Sequence, residues 1–322
     1  FKDNTKGSLL LEPSRSNLVN YSNDISQSFN AQDIIETQNY GVAPNGNNES
    51  TRVQITSSTS HYWKNYSLVN GSQYTASFYY KGIKGEKTYI RTITVGGGSG
   101  SSKLITFNGN WQREELTFTA GSSVNYIYIT DNRTGGDNTA TDFEVWGGQL
   151  EQGSYATSYI PTSGSAVTRV AESSSQTVPD GVIGQTEGTL FIEVGKINNN
   201  SVTGAAKWFM EIRKDANNSF GFGSGGADAS PPIRFVTQIS GAYATEIEIP
   251  NFSNSKIAIS YNSTNFKIFQ NGFLRHTVNK NIGDYSEIEF LEGASTDLRM
   301  IMKNFKLYNT ALTDQELIAL TS

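Results

Sequence analysis

Two-residue alternation of aromatic and β-branched side chains with polar ones runs through most of the sequence, and this pattern restricts the fold more than any other feature. In QYTASFYYKGI, one side of an extended strand would carry Tyr74, Ala76, Phe78 and Tyr80. The same pattern occurs in REELTFTA, VNYIYITDN, TDFEVWG, GTLFIEVG, SKIAISYN and NFKIFQNGFLRHTV. Such segments, separated by Gly, Asn, Ser and Pro about every 8 to 12 residues, predict an all-β chain of antiparallel β-sandwiches.

Asn-Gly pairs mark turns beside three of these segments. They lie at Asn70-Gly71, Asn108-Gly109 and Asn271-Gly272. Both residue types adopt positive φ at low cost, and two-residue hairpin turns require this backbone conformation. The third pair, between two alternating segments, predicts a β-hairpin.

One short helix is predicted at the end of the sequence, in ALTDQELIALTS. Thr313 and Glu316 have the spacing of a capping box, in which each side chain binds a backbone N–H at the helix start. Leu312 and Leu317 are placed to pack on each other across that start. The sequence therefore specifies where this helix begins.

The length of 322 residues suits two domains of about 150 residues each. Between residues 160 and 188 the alternation stops, and the sequence PTSGSAVTRVAESSSQTVPDGVIGQTEG is rich in Ser, Thr and Gly. We therefore expect two antiparallel β-sandwich (jelly-roll) domains, at residues 1–172 and 173–322. The stretch VGGGSGSSK at 95–103 is expected to be a loop, and the first residue, Phe1, suggests a piece of a longer chain.

Composition argues against several kinds of partner and chemistry. The net charge is −5 with only 17% charged residues, so we expect no nucleic-acid partner. No apolar run approaches the ~18 residues of a membrane span, so no membrane insertion is expected. Cysteine is absent, which removes thiol nucleophiles and Cys-bound metals, and His61 and His276 are the two histidines. Catalysis, if present, would rest on carboxylates.

Longer motifs add a family resemblance. GSLLLEPSRSNLVNYSNDIS, NGNWQREELTFTA and VWGGQLEQGSYATSYIPTSGSAVTRVAE resemble a module of phage tail and head fibre proteins and related bacterial surface proteins, a jelly roll like that of carbohydrate-binding modules. The second half, from IGQTEGTLFIEV to MIMKNFKLYNTALTDQELIAL, is similar to concanavalin A-like, laminin-G-type lectin sandwiches.

This resemblance carries expectations about biology. It implies a non-catalytic adhesion segment of a phage fibre or similar appendage, at a virion surface or outside the cell. The implied partners are polysaccharide or cell-surface glycan and other virion or appendage proteins. Fibre proteins are frequently trimers, so the resemblance also implies a homo-oligomer.

Aromatic side chains are the first candidates for sugar contacts, because sugars stack their apolar faces on exposed rings while amides and charged groups bind their hydroxyls. In SSTSHYWKNYSL we single out Tyr62, Trp63, Asn65 and Tyr66. Together with His61, they place four rings within six positions, and on a strand these cannot easily all point inward; the alternative is that they close one end of the core.

Two other groups of aromatic side chains are interpreted separately. Trp208 and Arg213 in the second half form a further candidate pair, with ordinary strand packing as the alternative. Trp111 and Trp146 lie in framework-like motifs and are interpreted as core residues.

Three glutamates in SEIEFLEG give a catalytic alternative. Glu287, Glu289 and Glu292 are spaced as E-x-E-x-x-E, close to the E-x-D-x-x-E of some sandwich-fold glycosidases. On a regular strand Glu287 and Glu289 share one face about 6 to 7 Å apart, which does not exclude a hydrolase or lyase. A second E-I-E occurs at residues 246–248 without a third glutamate at the catalytic spacing. Alternation on a half-exposed strand is enough to produce such a repeat, so a solvated strand is favoured over a catalytic site.

An acidic loop offers oxygen ligands, although the identity of any metal stays open. Asp131, Asp137 and Asp142 lie in TDNRTGGDNTATDF, where a structural Ca²⁺ is one alternative and ordinary turn hydrogen bonding the other. The preferred function is glycan binding without catalysis. A structural module that decorates a capsid or joins fibre subunits, and a polysaccharide hydrolase or lyase, are the two alternatives.

Overall fold

Described residues form two units. The structure, a computed structural model, describes residues 9–94, 100–121, 124–134, 137–172, 174–179, 181–198, 204–226, 232–279, 283–290 and 299–322. Contacts divide the chain into an N-terminal unit, Arg15–Arg169, and a C-terminal unit made of Phe1–Ser14 and Val170–Ser322. The first strand therefore belongs to the second unit, whereas the sequence assigned residues 1–172 to one domain. Residues 95–99 of the expected Gly-Ser loop lie outside the described residues.

The N-terminal unit contains two five-stranded antiparallel sheets and a two-stranded ribbon. Its strands are β2 (Arg15–Asn17), β3 (Asn30–Gln32), β4 (Ile34–Thr37), β5 (Thr51–Ile55), β6 (His61–Ser67), β7 (Gln73–Gly82), β8 (Lys87–Thr94), β9 (Ser102–Thr106), β10 (Gln112–Thr119), β11 (Val124–Asp131), β12 (Asp142–Gln152) and β13 (Val167–Arg169). The sheets have the strand orders β10-β7-β12-β5-β4 and β3-β6-β11-β8-β9, and β2 pairs with β13. Two 3-10 helices lie at Ile25–Gln27 and Asn132–Thr134.

Apolar side chains from both sheets form one core in this unit. Strand β7 contributes Tyr74, Ala76, Phe78 and Tyr80, as its alternation predicts. The facing sheet contributes aliphatic residues such as Ile90 and others on β9 and β11. Two sheets that bury alternate residues against each other make a β-sandwich, so the predicted fold class is confirmed.

A buried polar clamp ties the two ends of this unit together. The Asn17 side chain is fully buried and donates from Nδ2 to the carbonyls of Gly148 (3.0 Å) and Ile160 (2.9 Å). Its Oδ1 accepts from the backbone N–H of Val19 (3.0 Å) and Leu150 (3.1 Å). One side chain therefore satisfies four backbone groups, one of them two residues away and three from two distant segments, which offsets the cost of burying all of them.

The segment after β12 is held in the same way. Gln149 accepts from the N–H of Ile160 (2.7 Å), and the fully buried Glu151 accepts from the N–H of Thr157 (3.0 Å). Gln149 also donates to Glu151 (2.7 Å). The family-like run GGQLEQGSYATSYIP is thus the part of the unit that folds back over its own strand.

The C-terminal unit contains two six-stranded antiparallel sheets and a helix. Its elements are β1 (Leu9–Leu11), β14 (Ser174–Thr177), β15 (Gly188–Asn198), β16 (Gly204–Asp215), β17 (Asn218–Gly226), β18 (Arg234–Ile239), β19 (Ala242–Glu248), β20 (Lys256–Tyr261), β21 (Phe266–Gln270), β22 (Phe273–Val278), β23 (Glu287–Phe290), β24 (Arg299–Tyr308) and α1 (Asp314–Thr321). The strand orders are β1-β24-β15-β20-β21-β22 and β14-β23-β16-β17-β18-β19.

Isoleucine and phenylalanine side chains make up most of the core between these sheets. Phe220 is central, with its ring centroid 5.0 Å from that of Phe266 and 4.9 Å from that of Tyr285. Such tilted and edge-on ring pairs add to the free energy of simple burial. The predicted hairpin is confirmed, since Asn271 (φ 50°) and Gly272 (φ 81°) join β21 to β22.

The predicted helix is confirmed together with its cap. Thr313 accepts from the N–H of Glu316 (3.4 Å), and Glu316 accepts from the N–H of Thr313 (2.8 Å). Leu312 and Leu317 both belong to the small apolar cluster that packs α1 on one sheet. Within the described residues, no helix has the length and apolarity needed to cross a membrane.

Replacing Asn17 with Ala should destabilise the N-terminal unit by about 2 to 4 kcal/mol, because four buried backbone groups lose their partner. Urea denaturation of the purified variant measures this loss. Asn47→Ala is the matched control, since Asn47 is exposed and its side chain binds only at the surface. We expect the control to change the unfolding free energy by less than about 0.5 kcal/mol. Equal losses in the two variants would contradict the clamp.

Candidate functional site

The surface of sheet β3-β6-β11-β8-β9 that points away from the core carries the candidate site, and we call it the aromatic face. Strand register places His61 and Trp63 of β6 beside Tyr128 and Asp131 of β11, and Tyr126 beside Asn65. On the other side of β11, Tyr128 pairs with Arg91 and Tyr126 with Ile93. Paired residues of antiparallel strands share a face, so these side chains form one surface.

Ring contacts connect the centre of the aromatic face. Trp63 lies half-buried between two neighbours, with its ring centroid 5.5 Å from that of Tyr126 and 6.5 Å from that of His61. Tyr126 in turn lies 6.4 Å from Tyr128, which is only 6% exposed and supports the two half-buried rings of Trp63 and Tyr126 from the side. Held by their neighbours on a sheet, these rings lose little conformational freedom when a planar or ring-shaped ligand stacks on them.

A β-bulge in β11 decides what faces outward. The register with β6 shifts between Tyr128 and Thr130, so Tyr128 opposes Trp63 and Asp131 opposes His61. Ile129 and Thr130 consecutively point toward the core, where Thr130 accepts a hydrogen bond from Thr88 (2.7 Å). Bulges commonly redirect side chains in this way. Without the extra residue, Asp131 would lie on the opposite side of the strand from Tyr128.

Two arginines bind the buried carboxylate of Asp131. Arg133 donates from Nε to Oδ1 (2.8 Å) and from Nη2 to Oδ2 (3.0 Å), and Arg91 donates from Nη1 to Oδ2 (3.1 Å). Asp131 is 0% exposed, while the arginine side chains keep 30% and 37% of their surface in solvent. The guanidinium of Arg133 also lies 4.9 Å from the centroid of the Tyr128 ring. Hydrogen bonds to Asp131 raise the pKa of Arg133 above its ordinary value, so it stays charged.

Amides border the rings on the other side. Asn30 and Gln32 of β3 pair in register with Trp63 and His61, and both are exposed. Asn65 on β6 is exposed as well. Each amide provides both donors and acceptors, which is the combination that sugar hydroxyls require. The aromatic face thus combines stacking surface, amides and cations.

The structure corrects two of the residues that the sequence singled out. Tyr62 is 0% exposed and belongs to the core, because alternation along β6 sends it to the side opposite Trp63. Tyr66 packs against the same core, and its hydroxyl is buried. Burial, followed by the charge of Glu36, raises the pKa of Tyr62, and burial raises that of Tyr66. Trp63 and Asn65 remain candidates.

The second predicted group does not form a stacking surface either. Trp208 is only 6% exposed and packs edge-on against the exposed Tyr243, with centroids 6.3 Å apart. Arg213, five residues further along β16, bridges Glu211 (3.3 Å) and Glu289. The pair is therefore corrected to strand packing and an ion-pair bridge.

Glu287 and Glu289 lie on one face of β23, as predicted, but the surroundings are those of a structural ion pair. Register places Glu289 opposite the 1% exposed Glu211, and Arg213 faces both carboxylates. Glu292 lies outside the described residues. The other E-I-E is on β19, where Glu246 lies 3.6 Å from Arg234.

The three aspartates of the acidic loop do not converge. Asp131 binds Arg91 and Arg133, Asp142 binds Arg52, and Asp137 is exposed. Among the residues that the structure describes, no group of three or more His, Cys, Asp or Glu side chains is arranged to hold a metal ion.

The tryptophans interpreted as core residues have different environments. Trp146 is buried, 4.6 Å from the Tyr159 ring, under the segment that follows β12. Trp111 is only half-buried and donates from Nε1 to the Val42 carbonyl (2.9 Å), so its assignment to the core is wrong.

Sequence reasoning missed several residues of the aromatic face. Among them are Asn30, Gln32, Arg91, Tyr126, Tyr128 and Arg133. The alternation in VNYIYITD already puts Tyr126 and Tyr128 on one side of a strand, which is a signal that the sequence contains. The bulge, and the pairing of β11 with β6 and β8, bring the arginines to the same surface, and no local pattern specifies that pairing.

Comparisons with known proteins give distant structural likenesses. No family model matches the chain, and no curated protein matches it. One similar solved structure is botulinum neurotoxin type C, whose cell entry depends on two ganglioside molecules; the TM-score is 0.37 at 14% identity, over 47% of this chain and 39% of that one. The binding domain of botulinum neurotoxin DC, in complex with SialylT, gives a TM-score of 0.36 at 17% identity, over 46% and 38%.

A third similar structure is domain 4 of AbnA, an extracellular arabinanase from Geobacillus stearothermophilus, in complex with arabinotriose. Its TM-score is 0.33 at 14% identity, over 45% of this chain and 71% of that domain. The chain thus aligns with less than half the length of the two neurotoxin chains. Because unrelated functions share such folds, the function has to come from the chemistry of the site.

The buried tyrosines predict alkaline instability of the N-terminal unit. A phenol whose pKa is raised in the folded state contributes stability fully below its unfolded value of about 10 and loses it as pH rises further, by up to about 1.4 kcal/mol per pH unit per group. Tyr62→Phe should therefore make the fall of unfolding free energy between pH 10 and 11.5 shallower. Tyr40→Phe, at an exposed ring, is the control and should leave the slope unchanged. Identical slopes for both variants would show that Tyr62 ionises in place.

Arg213→Met should destabilise the C-terminal unit by about 2 to 4 kcal/mol, since it removes the positive charge facing two carboxylates, one of them buried. A buried carboxylate that has lost its positive partner is less costly when it binds a proton, so the loss should be smaller at pH 5 than at pH 8. Urea denaturation at both pH values measures this. Lys214→Met removes an exposed ion pair and should cost less than about 0.5 kcal/mol. A loss independent of pH would contradict the ion-pair interpretation.

Proposed function

We propose that the chain is a glycan-binding segment without catalytic activity and that the aromatic face is its binding surface. The observation that carries this proposal is the pair of half-buried rings of Trp63 and Tyr126, which are fixed on a sheet, backed by the buried Tyr128, and bordered by exposed amides and two partly exposed arginines. Binding sites for sugars need this combination, because a sugar ring has an apolar face and a polar rim.

The binding mechanism follows from the geometry. A sugar ring stacks on Trp63 and Tyr126, while Asn30, Gln32 and Asn65 exchange hydrogen bonds with its hydroxyls. The surface is a sheet face, so it suits consecutive sugars of a polymer. Contacts of this kind are individually weak, and several copies on one appendage multiply them through effective concentration.

The ion pair of Glu289 supports a non-catalytic role for the C-terminal unit. A glycosidase needs one carboxyl that holds a proton and another that attacks or activates water. Arg213 instead forms ion pairs with the carboxylates of both Glu289 and Glu211. This arrangement favours a structural role over the hydrolase or lyase alternative.

The proposal includes a place for the protein. The motifs that resemble phage fibre and bacterial surface modules support a location on a virion or extracellular appendage, attached to host-surface or environmental polysaccharide. Oligomerisation would supply the copies that multivalent binding needs.

Trp63→Ala and Tyr126→Ala should each weaken glycan binding about 5- to 30-fold, the equivalent of ~1 to 2 kcal/mol of lost ring stacking. The assay is binding of the artificially tetramerised protein to polysaccharide arrays and host-type cells. Trp111→Ala, which removes a half-buried tryptophan directly before β10 of the other sheet, is the control and should bind like the parent. The proposal fails if the tetramerised parent binds no glycan, or if the Trp111 variant loses as much binding as the Trp63 variant.

A further inference from the structure

The charges of the aromatic face are mostly positive. By strand register and alternation, the described charged side chains on the strands of this surface are Lys87, Arg91 and Asp131, and Arg133 of the following 3-10 helix joins them through its bonds to Asp131. Three of these are cations and one is an anion, in a chain whose overall charge is −5. The surface therefore has the sign opposite to that of the whole protein, and it attracts anionic ligands.

Asp131 organises the two arginines without using up their binding capacity. Each guanidinium carries five N–H donors, and Asp131 receives two from Arg133 and one from Arg91. The carboxylate neutralises one of the two positive charges, and the pair keeps a net positive charge. Because Asp131 is fully buried, it fixes the arginines from below while their outer parts stay in solvent.

This arrangement lowers the conformational entropy that the arginine side chains lose when a ligand binds. A solvated arginine loses rotamer freedom when it grips a ligand, whereas these two are already held in place. The cations also lie beside the stacking rings. Arg133 is 4.9 Å from the Tyr128 ring, Tyr128 is 6.4 Å from Tyr126, and Tyr126 is 5.5 Å from Trp63. A polymer stacked on Trp63 and Tyr126 thus brings the substituents of a neighbouring sugar to the arginines.

We propose that Arg91 and Arg133, held by Asp131, bind a sugar carboxylate, and that the ligand of the aromatic face is a polysaccharide built from carboxylated sugars such as uronates. This inference rests on the proposed glycan-binding function and names the class of glycan. Guanidinium groups are planar forks that match the two oxygens of a carboxylate, so a carboxylate is favoured over a neutral hydroxyl at this position.

The test compares acidic polysaccharides with their own neutral derivatives. Polygalacturonate, alginate and hyaluronan are immobilised beside the same polymers after chemical reduction of their carboxyl groups. We expect the tetramerised parent to bind at least one acidic polymer more than tenfold tighter than its reduced form. Binding to that polymer should also weaken as NaCl rises from 0.05 to 0.5 M, because salt screens exposed charges. Dextran sulfate is included as a polyanion without carboxylates.

Single variants keep the fold intact. Arg91→Gln leaves Arg133 on Asp131, and it should weaken binding to the acidic polymer at least fivefold while leaving binding to the reduced polymer unchanged. Arg91→Lys should recover part of the loss, since it restores the charge without the planar fork. Arg52→Gln is the matched control, because Arg52 also binds one aspartate and lies over a tyrosine ring, but on the other sheet. It should bind like the parent.

The outcomes separate this inference from the proposed function. Equal binding to acidic and reduced polymers, or equal losses on both in Arg91→Gln, would overturn the carboxylate assignment and leave glycan binding intact. Tighter binding to dextran sulfate than to every uronate would overturn it too, in favour of general attraction to anions. Binding to none of the polymers, acidic or reduced, would count against both the inference and the proposed function.

Discussion

Burial of alternate side chains between two paired sheets is the constraint on which the structure depends. In each unit the apolar residues of both sheets meet in one core, so every strand must send its other residues outward. Where those outward residues are polar, the surface is simply solvated. On β6 and β11 they are aromatic, and the rings of Trp63 and Tyr126 therefore remain at the surface for lack of a place inside.

Local sequence patterns predicted the strands, the hairpin and the helix, but not which strands pair with each other. Period-two segments gave the strands, Asn271-Gly272 gave a hairpin, and Thr313 with Glu316 gave the start of the helix, because each depends on residues close in sequence. The pairing of β1 with β24 joins residues almost 300 positions apart. No local signal specifies such a partner, and for that reason the sequence grouped the first strand with residues 15–172, whereas contacts group it with the C-terminal unit.

The sequence identified only part of the candidate site, again because local patterns do not specify how strands pair. The sequence showed a cluster of rings in SSTSHYWKNYSL, but a cluster does not say which members point inward. Alternation along β6 puts Trp63 on one side of the strand and Tyr62 and Tyr66 on the other. Which side faces the core is known only from the assembled sheets. The arginines were missed because they come from β8 and from the 3-10 helix after β11, and the fold alone makes them neighbours. The longest family-like run, in contrast, serves the framework, since Gln149 and Glu151 bind the backbone that follows β12.

The bulge at Ile129 has a consequence for how such a surface can change. Because one additional residue reverses the parity of everything beyond it, the two ends of β11 can be altered independently. The rings of Tyr126 and Tyr128 at its beginning and the carboxylate of Asp131 at its end can therefore be substituted separately. A lineage that varied only the stretch after the bulge would exchange the cationic anchor for another polar group and keep the stacking platform and the hydrophobic interior unchanged.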